Sequence, residues 1–221
     1  MIKEYGPIRL FDAEAPSPQA WDFADATHAR IILDSRPSSV VAMQQQGFLF
    51  ADRTLKTSIS LARCTVELDR MVRLPLTETR EHRQDILRIA CASFVDDRRF
   101  HITPHCDPAV AAMVLEEWVR ELDDVLVCFF RDRPVGFLAL KETAPDSLFV
   151  HLAAVEERYR MAGAAMSLYA GAYRLARERG YKKLEGRISS RNTAVMNVYA
   201  AFGASFSEPR DIFLKEISHD A

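Results

Sequence analysis

Apolar residues recur along the chain with spacings that predict alternating strands and helices. Near the N-terminus, residues 29–34 form an apolar run typical of a strand, and residues 37–46 follow as a helix that begins at a proline and ends at Gly47. Partial alternation of apolar residues predicts another strand within residues 48–61. Together these elements predict a small α/β unit in the first third of the chain.

From Met71 onward the periodicity is clearer and indicates a longer series of elements. It predicts strands at residues 72–76, 125–130, 135–140, 148–155, 183–188 and 211–217, and helices at residues 79–94, from about 107 to 122, from about 160 to 179, and around Tyr199. The order is strand, two helices, three strands, helix, strand, helix, strand. This alternation places the chain in the α/β class.

The length permits one large domain or two small ones. A chain of 221 residues has enough material for a sizeable buried core. A boundary near residues 66–72 predicts a small N-terminal α/β domain at residues 1–70 and a second domain at residues 71–221, although no Gly/Pro-rich linker marks it. Residues 1–70 contain no recognisable chemistry, so we expect the functional site in the second part.

Charge and hydropathy exclude several classes of function. The formal net charge is −2, from 29 basic and 31 acidic residues, so no global field attracts nucleic acid or an anionic membrane. The first residues lack the apolar core of a signal peptide, and no apolar run approaches the length of a membrane span. These features predict a cytoplasmic protein.

The stretch Arg160-Met161-Ala162-Gly163-Ala164-Ala165 follows a predicted strand and opens a predicted helix. The first amides of a helix have no partner within it and lie at the positive end of the helix dipole. Small residues let a pyrophosphate approach these amides, and the arginine adds charge. The pattern alone is weak, because close packing of a helix against a strand requires the same small residues.

A second segment about thirty residues later makes the pattern more specific. Residues 191–206 carry Asn192 and Tyr199 on a predicted helix, followed by Gly203 and Phe206. The two segments together resemble the GCN5-related N-acetyltransferase (GNAT) family, over roughly residues 71–217. The resemblance implies the GNAT acyltransferase fold, with a mixed sheet that is antiparallel in its first half.

The resemblance also implies acetyl-CoA as cofactor and assigns the groups that bind it. In the family, the strand before the phosphate loop parts from its neighbour, so Ala154 and Val155 would offer main-chain groups to pantetheine, and an amide near Val155 would polarise the thioester carbonyl. Asn192 would contact pantetheine, although its side chain is equally suited to capping the helix. The pyrophosphate would lie against Arg160, Met161, Ala162, Gly163, Ala164 and Ala165. Arg158 is either a further phosphate contact or a solvated surface residue.

Two residues are candidates for proton transfer. Tyr199 corresponds to the family's acid, and a phenol is protonated at neutral pH, although helical neighbours also suit a core aromatic residue. His151, on the strand before the loop, matches a histidine position of the arylalkylamine N-acetyltransferases and would accept the amine's proton, although a structural role fits as well. His101 and His105 form a second possibility. With Cys106 they give no complete metal-ligand set, so no metal is expected.

The resemblance implies transfer of an acetyl group to a primary amine, and several finer readings stay open. The Arg99-Phe100-His101 stretch and the N-terminal unit resemble the nucleotide-amino-sugar branch that includes TDP-fucosamine acetyltransferases, which implies a nucleotide-linked 4-amino-dideoxy sugar as acceptor. The alternatives are another small amine, an acyl-CoA-binding module without turnover, and a protein that binds a different phosphate ligand. Family habit implies a homodimer.

Overall fold

The computed structural model describes residues 1–63, 68–79, 81–95, 97, 99–105, 107–122 and 124–217. Residues 66 and 67 of the predicted domain boundary, and Cys106, lie outside the described residues. Within the described ranges, no helix has the length and apolar character needed to cross a membrane.

The described residues form ten strands, six α-helices and one short 3₁₀ helix. In chain order they are β1 Ile2–Tyr5, β2 Ile8–Ala15, β3 His28–Asp34, α1 Pro37–Gln45, β4 Leu49–Ser60, α2 Leu68–Met71, β5 Leu76–Glu78, α3 Arg83–Ser93, α4 Pro108–Arg120, β6 Asp124–Phe130, β7 Arg133–Ala144, β8 Ser147–Val155, the 3₁₀ helix Glu157–Ala162, α5 Ala164–Glu178, β9 Lys183–Ser189, α6 Thr193–Ala201 and β10 Ser205–Glu216. The predicted α/β class is confirmed.

Two element boundaries around α3 differ from the sequence prediction. The helix predicted at residues 79–94 begins only at Arg83, because the preceding His82 has a left-handed backbone, with φ of 62°. The strand predicted at residues 72–76 begins only at Leu76. Apolar spacing marks where a helix can bury one side, but it does not mark the residue at which the backbone changes conformation.

The N-terminal and C-terminal strands also exceed the prediction. Strands β1 and β2 have no predicted counterpart, and β10 begins at Ser205 instead of residue 211. The added part of β10 is polar and mostly exposed, and it is held by pairing with β4. Pairing with the distant strand β4, and not local alternation, makes this part of β10 a strand, whereas β1 and β2 form a local hairpin.

All ten strands join in one mixed sheet, in the order β1-β2-β3-β10-β4-β9-β8-β7-β6-β5. Strands β5 to β8 are antiparallel neighbours, and β8 and β9 run parallel, as the resemblance implies. Strand β4, from the first third of the chain, lies between β9 and β10 and is antiparallel to both. The division into domains at residue 70 stays a prediction, since strand pairing does not show which part folds alone.

Separate apolar clusters cover the two faces of the sheet. On one face α5 and α6 pack on the sheet through residues such as Leu168, Tyr173, Phe202, Leu138 and Val150. On the other face α3 and α4 pack through residues such as Ile89, Val114, Phe137 and Leu152. A smaller cluster holds α1 against β3 and β10. Helices on both faces leave the strand ends as the place where a ligand can enter.

A buried ion pair connects the N-terminal strands to the segment that follows α3. Arg30 on β3 is 8% exposed and binds the Asp12 carboxylate on β2 through two hydrogen bonds, of 2.8 and 2.6 Å. Its remaining nitrogen donates to the carbonyl oxygen of Arg99 at 3.1 Å. Because Arg30 is hardly solvated, its charge depends on Asp12 for compensation.

We expect Asp12→Ala to lower the free energy of unfolding by about 3–5 kcal/mol, since it leaves the Arg30 charge buried and unpaired. Chemical denaturation of the purified variant measures this loss. The matched control is Glu116→Ala, which removes the exposed partner of Arg120 one helical turn away and should change stability by less than about 0.5 kcal/mol. Equal effects of the two variants would contradict a structural role for the buried pair.

Candidate active site

The pairing between β8 and β9 ends part-way along both strands. They are in register as far as Val150 and Gly186, and no pair follows in these fully described strands. Beyond this point β8 is held only by β7, as far as Val155, and β9 only by β4, as far as Ser189. A gap therefore opens between the two strands, closed at Gly186 and open toward their ends.

A β-bulge in β8 lies at the same point. Leu140 of β7 pairs with Val150 and Ala139 pairs with Leu152, so His151 is an extra residue in β8. The extra residue shifts the alternation of side chains. As a result Val150 packs with the α5 cluster, whereas Leu152, two residues later, packs with the α3 and α4 cluster on the other face. A bulge bends its strand, which explains why β8 turns away from β9 here.

The gap widens into a cavity of about 700 Å³. Its walls come from the end of β8, the 3₁₀ helix, the first turns of α5 and α6, and the segment at the end of α3. Of the residues predicted to bind the cofactor, those that line it are Ala154, Val155, Arg160, Met161, Ala165 and Asn192. Ala162, Gly163 and Ala164 lie in the same loop but do not line the cavity. The structure thus unites the two segments that carried the family resemblance.

The backbone of Val155 faces the open side of β8. The amide of the next residue, Glu156, donates to the Val135 carbonyl of β7 at 2.9 Å. Successive residues of a strand point their N–H and C=O groups to opposite edges. Because the Glu156 amide points to β7, the N–H and C=O groups of Val155 point away from it. Among the described residues, the Val155 carbonyl accordingly accepts only side-chain bonds, from Arg160 Nε at 3.3 Å and Ser93 Oγ at 3.5 Å. An extended ligand could pair with this edge as another strand would.

The predicted phosphate loop consists of the 3₁₀ helix, Gly163 and the first turn of α5. Gly163 has φ of +83°, and a Cβ atom there would lie 2.9 Å from Cδ of Arg73. The backbone angle favours glycine, and a larger residue would also have to displace the Arg73 side chain. The neighbouring Met161 is 94% exposed, so no protein atoms cover this side of the loop. The first amides of α5 lack partners within the helix, which suits an anion.

Asn192 caps α6, as the alternative interpretation expects. Its side-chain oxygen accepts a hydrogen bond from the Val195 amide at 3.1 Å. The residue also lines the cavity, so a ligand there would lie beside it. The predicted contact with pantetheine stays a prediction.

Tyr199 is fully buried beneath the closed end of the gap and does not itself line the cavity. Its ring packs edge-on against Tyr169, with 4.9 Å between centroids, and Tyr169 does line the cavity. The Tyr199 hydroxyl lies against Gly186, where a Cβ atom would be 2.2 Å from the oxygen. Within the described part of the chain, neither this hydroxyl nor that of Thr57 has a hydrogen-bond partner.

These two unpartnered hydroxyls give the closed end of the gap a polar character. Burial raises the pKa of Tyr199. The neighbouring hydroxyls of Thr57 and Tyr169 offset only part of this rise, and neither is placed to form a hydrogen bond of good geometry with the Tyr199 hydroxyl. The phenol is therefore protonated at neutral pH and able to donate. A buried hydroxyl without a partner is costly, so a polar ligand atom at this point would be stabilised. Its assignment as the acid stays a prediction.

His151, the bulge residue, lies outside the cavity wall. Its ring stacks on Trp118 of α4, with centroids 4.7 Å apart and an angle of 12° between the planes. Burial, aided by Lys141 and Arg99, lowers the pKa of His151, so the imidazole is neutral at pH 7. A neutral imidazole can accept a proton, but the ring is packed against an aromatic wall. The predicted role as base stays a prediction.

The structure adds polar residues that sequence reasoning missed, and one of them comes from the part expected to contain no chemistry. Asp52 of β4 lines the cavity and is 1% exposed, beside Ser189 at the end of β9. Asp97 also lines the cavity and binds Arg99 through bonds of 2.9 and 2.5 Å. An acidic residue within a strand pattern was the one signal for Asp52, since aspartate is disfavoured in strands.

The remaining candidates lie away from the cavity wall. Arg158 binds Glu156 at 3.3 Å and lies over the Tyr159 ring. His101 is buried with its Nε2 against the Val95 carbonyl, and His105 is largely exposed. Among the described residues, no group of three or more histidine, cysteine or acidic side chains could hold a metal ion.

Comparison with known proteins identifies the class to which this fold and cavity belong. The sequence pattern of the acetyltransferase (GNAT) family matches residues 84–204, which is more than half of the chain. The chain therefore belongs to the GNAT acetyltransferase family. The matched residues run from α3 to the end of α6 and include both segments that line the gap.

Individual relatives agree with this assignment. The L-2,4-diaminobutyric acid acetyltransferase of Streptomyces coelicolor is 43% identical over 72 residues, which are 31% of this chain and 42% of that protein. The chain thus matches less than half the length of this curated relative. A conserved protein of unknown function from Staphylococcus epidermidis has a TM-score of 0.64 at 17% identity, over 86% of this chain and 73% of its own. A GCN5-related N-acetyltransferase from Sphaerobacter thermophilus has a TM-score of 0.57 at 14% identity, with coverage of 86% and 59%.

We expect Gly186→Ala to lower the free energy of unfolding by about 1–3 kcal/mol, because the added methyl group meets the Tyr199 hydroxyl. In a Tyr199→Phe background the cost should fall by about 1 kcal/mol or more, since that oxygen is gone. Denaturation of the two single variants, the double variant and the parent forms a complete cycle. Strict additivity would show that the hydroxyl does not lie against Gly186.

The lowered pKa of His151 predicts a pH dependence of stability. A histidine that is harder to protonate when folded destabilises the native state as the pH falls below its unfolded pKa, near 6.5. We expect the unfolding free energy of His151→Gln to fall less steeply between pH 7 and 5 than that of the parent, by at most about 1.4 kcal/mol per pH unit. Parallel pH profiles of the two proteins would refute the burial of this imidazole.

Proposed function

We propose that the chain is an acetyl-CoA-dependent N-acetyltransferase that acetylates a primary amine. The observation that carries the proposal is the gap between β8 and β9, which exposes the peptide groups of Val155 beside a loop suited to phosphate. Membership of the GNAT family and the partial match to an amino-acid acetyltransferase support it.

Each part of the cavity has a role in binding. The open edge of β8 at Ala154 and Val155 would pair with pantetheine in place of the missing strand, displacing the Arg160 side chain from the Val155 carbonyl. Arg160 could then turn to the pyrophosphate at the start of α5, within the loop that ends at Ala165. Asn192 would contact pantetheine while it continues to cap α6.

Groups that face the gap would carry out the chemistry. Bound acetyl-CoA supplies an acetyl group activated as a thioester. The Val155 amide, which points into the gap, would donate to the acetyl carbonyl oxygen and stabilise the charge that develops there. Tyr199 would give its phenolic proton to the departing sulfur, since its hydroxyl is protonated and has no hydrogen-bond partner among the described residues. His151 remains a candidate proton acceptor, although it does not line the cavity.

The identity of the acceptor amine stays a proposal. The relative from Streptomyces coelicolor acts on L-2,4-diaminobutyric acid by its name, which favours a small amino acid or diamine here. The nucleotide-linked 4-amino-dideoxy sugar rests on weaker sequence features alone. Both contain a primary amine, so one panel of acceptors distinguishes them.

Calorimetry and thiol release test the proposal together. We expect acetyl-CoA and CoA to bind in the micromolar range typical of enzyme substrates, and a thiol to be released when an accepted amine is added. The panel should contain L-2,4-diaminobutyrate, simple diamines and a nucleotide-linked 4-amino sugar. Binding without release for any amine would indicate a binding module. Competition by ATP but not by CoA would indicate a different phosphate ligand.

Tyr199→Phe should lower kcat by about 100-fold, with little change in acetyl-CoA affinity, because the lost proton matters mainly as the thiolate leaves. The same variant should keep or raise the free energy of unfolding, since it removes a buried hydroxyl for which the described part of the chain provides no partner. Steady-state kinetics, calorimetry and denaturation check the three parts.

The control for this variant is Tyr173→Phe. Tyr173 is equally buried on α5, but its hydroxyl donates to the Leu61 carbonyl at 2.6 Å. Loss of this hydroxyl should lower the free energy of unfolding by about 1 kcal/mol and leave kcat unchanged. An unchanged kcat for Tyr199→Phe would exclude Tyr199 from the mechanism.

Two further properties are also proposals. A homodimer rests on family habit, and a cytoplasmic location stays a proposal. Sedimentation of the purified chain would test the first.

A further inference from the structure

Asp52 is a buried carboxylate on the cavity wall whose hydrogen bonds leave one oxygen free. Oδ1 accepts from the Arg53 amide at 2.8 Å and from Ser189 Oγ at 3.0 Å. Within the described part of the chain, Oδ2 forms no hydrogen bond, although the residue is 1% exposed. A carboxylate can accept about four hydrogen bonds, so a buried one that uses only one oxygen has unused capacity.

The charges around Asp52 are not balanced. Asp97 and Arg99, from the segment that follows α3, are the charged side chains that act on it most strongly, and Arg99 is already paired with Asp97. Its partners on the neighbouring strands are neutral: Ser189 on β9 and the apolar Ile212 on β10. Together with Asp52, the described side chains of Asp97 and Arg99 make two carboxylates and one guanidinium, which sum to a charge of −1. A buried site of this kind favours a cation.

We propose that the free oxygen of Asp52 binds the ammonium group of the acceptor and accepts its proton before acetyl transfer. This assignment rests on the proposed function and adds to it the group that prepares the amine. It also places the contribution of the first 63 residues: strand β4, inserted between β9 and β10, delivers the carboxylate to the gap.

The proton balance of the step is simple. An acceptor that enters as R–NH₃⁺ transfers one proton to the Asp52 carboxylate, which becomes a neutral acid, and the amine keeps the lone pair of that N–H bond. That lone pair forms the new N–C bond as the C–S bond breaks, and the sulfur leaves with the electron pair of the broken bond and takes a proton from Tyr199. The acetylated nitrogen then gives up its second proton, which restores the Tyr199 hydroxyl, while Asp52 later releases the first proton to solvent. Burial raises the pKa of Asp52, helped by Asp97 and partly offset by Ser189, the Arg53 amide and Arg99. A less acidic carboxyl group is a better proton acceptor at neutral pH.

The same charges select among acceptors. A small diamine or diamino acid brings positive charge to the wall formed by Asp52 and Asp97. A nucleotide-linked sugar brings two negative phosphates, which this wall would repel. We therefore expect the cationic class to be the better substrate.

The test compares the parent with Asp52→Asn, in which the carboxamide can keep the bonds from Ser189 and the Arg53 amide. With L-2,4-diaminobutyrate as acceptor, kcat/KM at pH 7 should fall at least about 100-fold. The affinity for the same amine in the CoA complex, by calorimetry, should weaken at least about tenfold, while acetyl-CoA affinity is unchanged. The pH profile should change as well. For the parent, log kcat/KM should be constant with pH below the pKa of the amine. For the variant it should rise with unit slope toward that pKa, since only free amine can then react.

The matched control is Asp211→Asn, on the adjacent strand β10. Asp211 is also fully buried, but it binds the half-exposed Arg53 and does not line the cavity. Its kinetic constants and pH profile should equal those of the parent. Because burial disfavours the ionised form of Asp52, Asp52→Asn should be no less stable than the parent at pH 8, which excludes loss of folding as the cause.

The outcomes separate the two proposals. If the parent releases thiol with amines but Asp52→Asn keeps the parent's kcat/KM, amine affinity and pH plateau, Asp52 has no such role and the proposed function stands. If the parent releases no thiol with any amine, the proposed function fails and this assignment fails with it.

Discussion

The separation of β8 from β9 beyond Val150 and Gly186 is the constraint on which the site depends. An unpaired strand edge inside a protein is costly, because its peptide groups have lost water without gaining a partner. The chain limits this cost by keeping β7 on the far side of β8 and β4 on the far side of β9. The bulge at His151 bends β8 away at the point where the pairing ends. What remains is an edge that a strand-like ligand can satisfy, with Val155 at its end.

The first third of the chain contributes to this arrangement directly. Strand β4 supports the free part of β9, and it carries Thr57 to the closed end of the gap and Asp52 to the cavity wall. The Arg30 side chain of β3 holds the carbonyl of Arg99, so the N-terminal strands also fix the segment that faces Asp52. The polar wall of the cavity is therefore assembled from segments that are far apart in sequence.

Much of this could be predicted and some could not, for definite physical reasons. Helices α4 and α5 bury one side, so apolar spacing predicted them, and the loop at Arg160 to Ala165 needs small residues that are visible in the sequence. Helix α3 was misplaced at its start because the left-handed backbone of His82 leaves no apolar signal. The environment of Tyr199 was beyond prediction, since it depends on the absence of a side chain at Gly186, on the preceding strand. Asp52 was missed because the face that a strand residue presents depends on its register with β9 and β10.

The sequence by itself determined the class of the fold, the order of its elements and the two segments that identify the family. These are local properties, set by periodicity and by the small residues that a helix start and a close contact require. Only the tertiary structure decided which strand lies beside β9, where β8 leaves it, and which hydroxyls and carboxylates meet in the gap. Strand order and register are set by hydrogen bonds between distant segments, and a shift of one residue exchanges the two faces of a strand. The polar groups of the site could therefore be identified only from the position of β4 in the sheet.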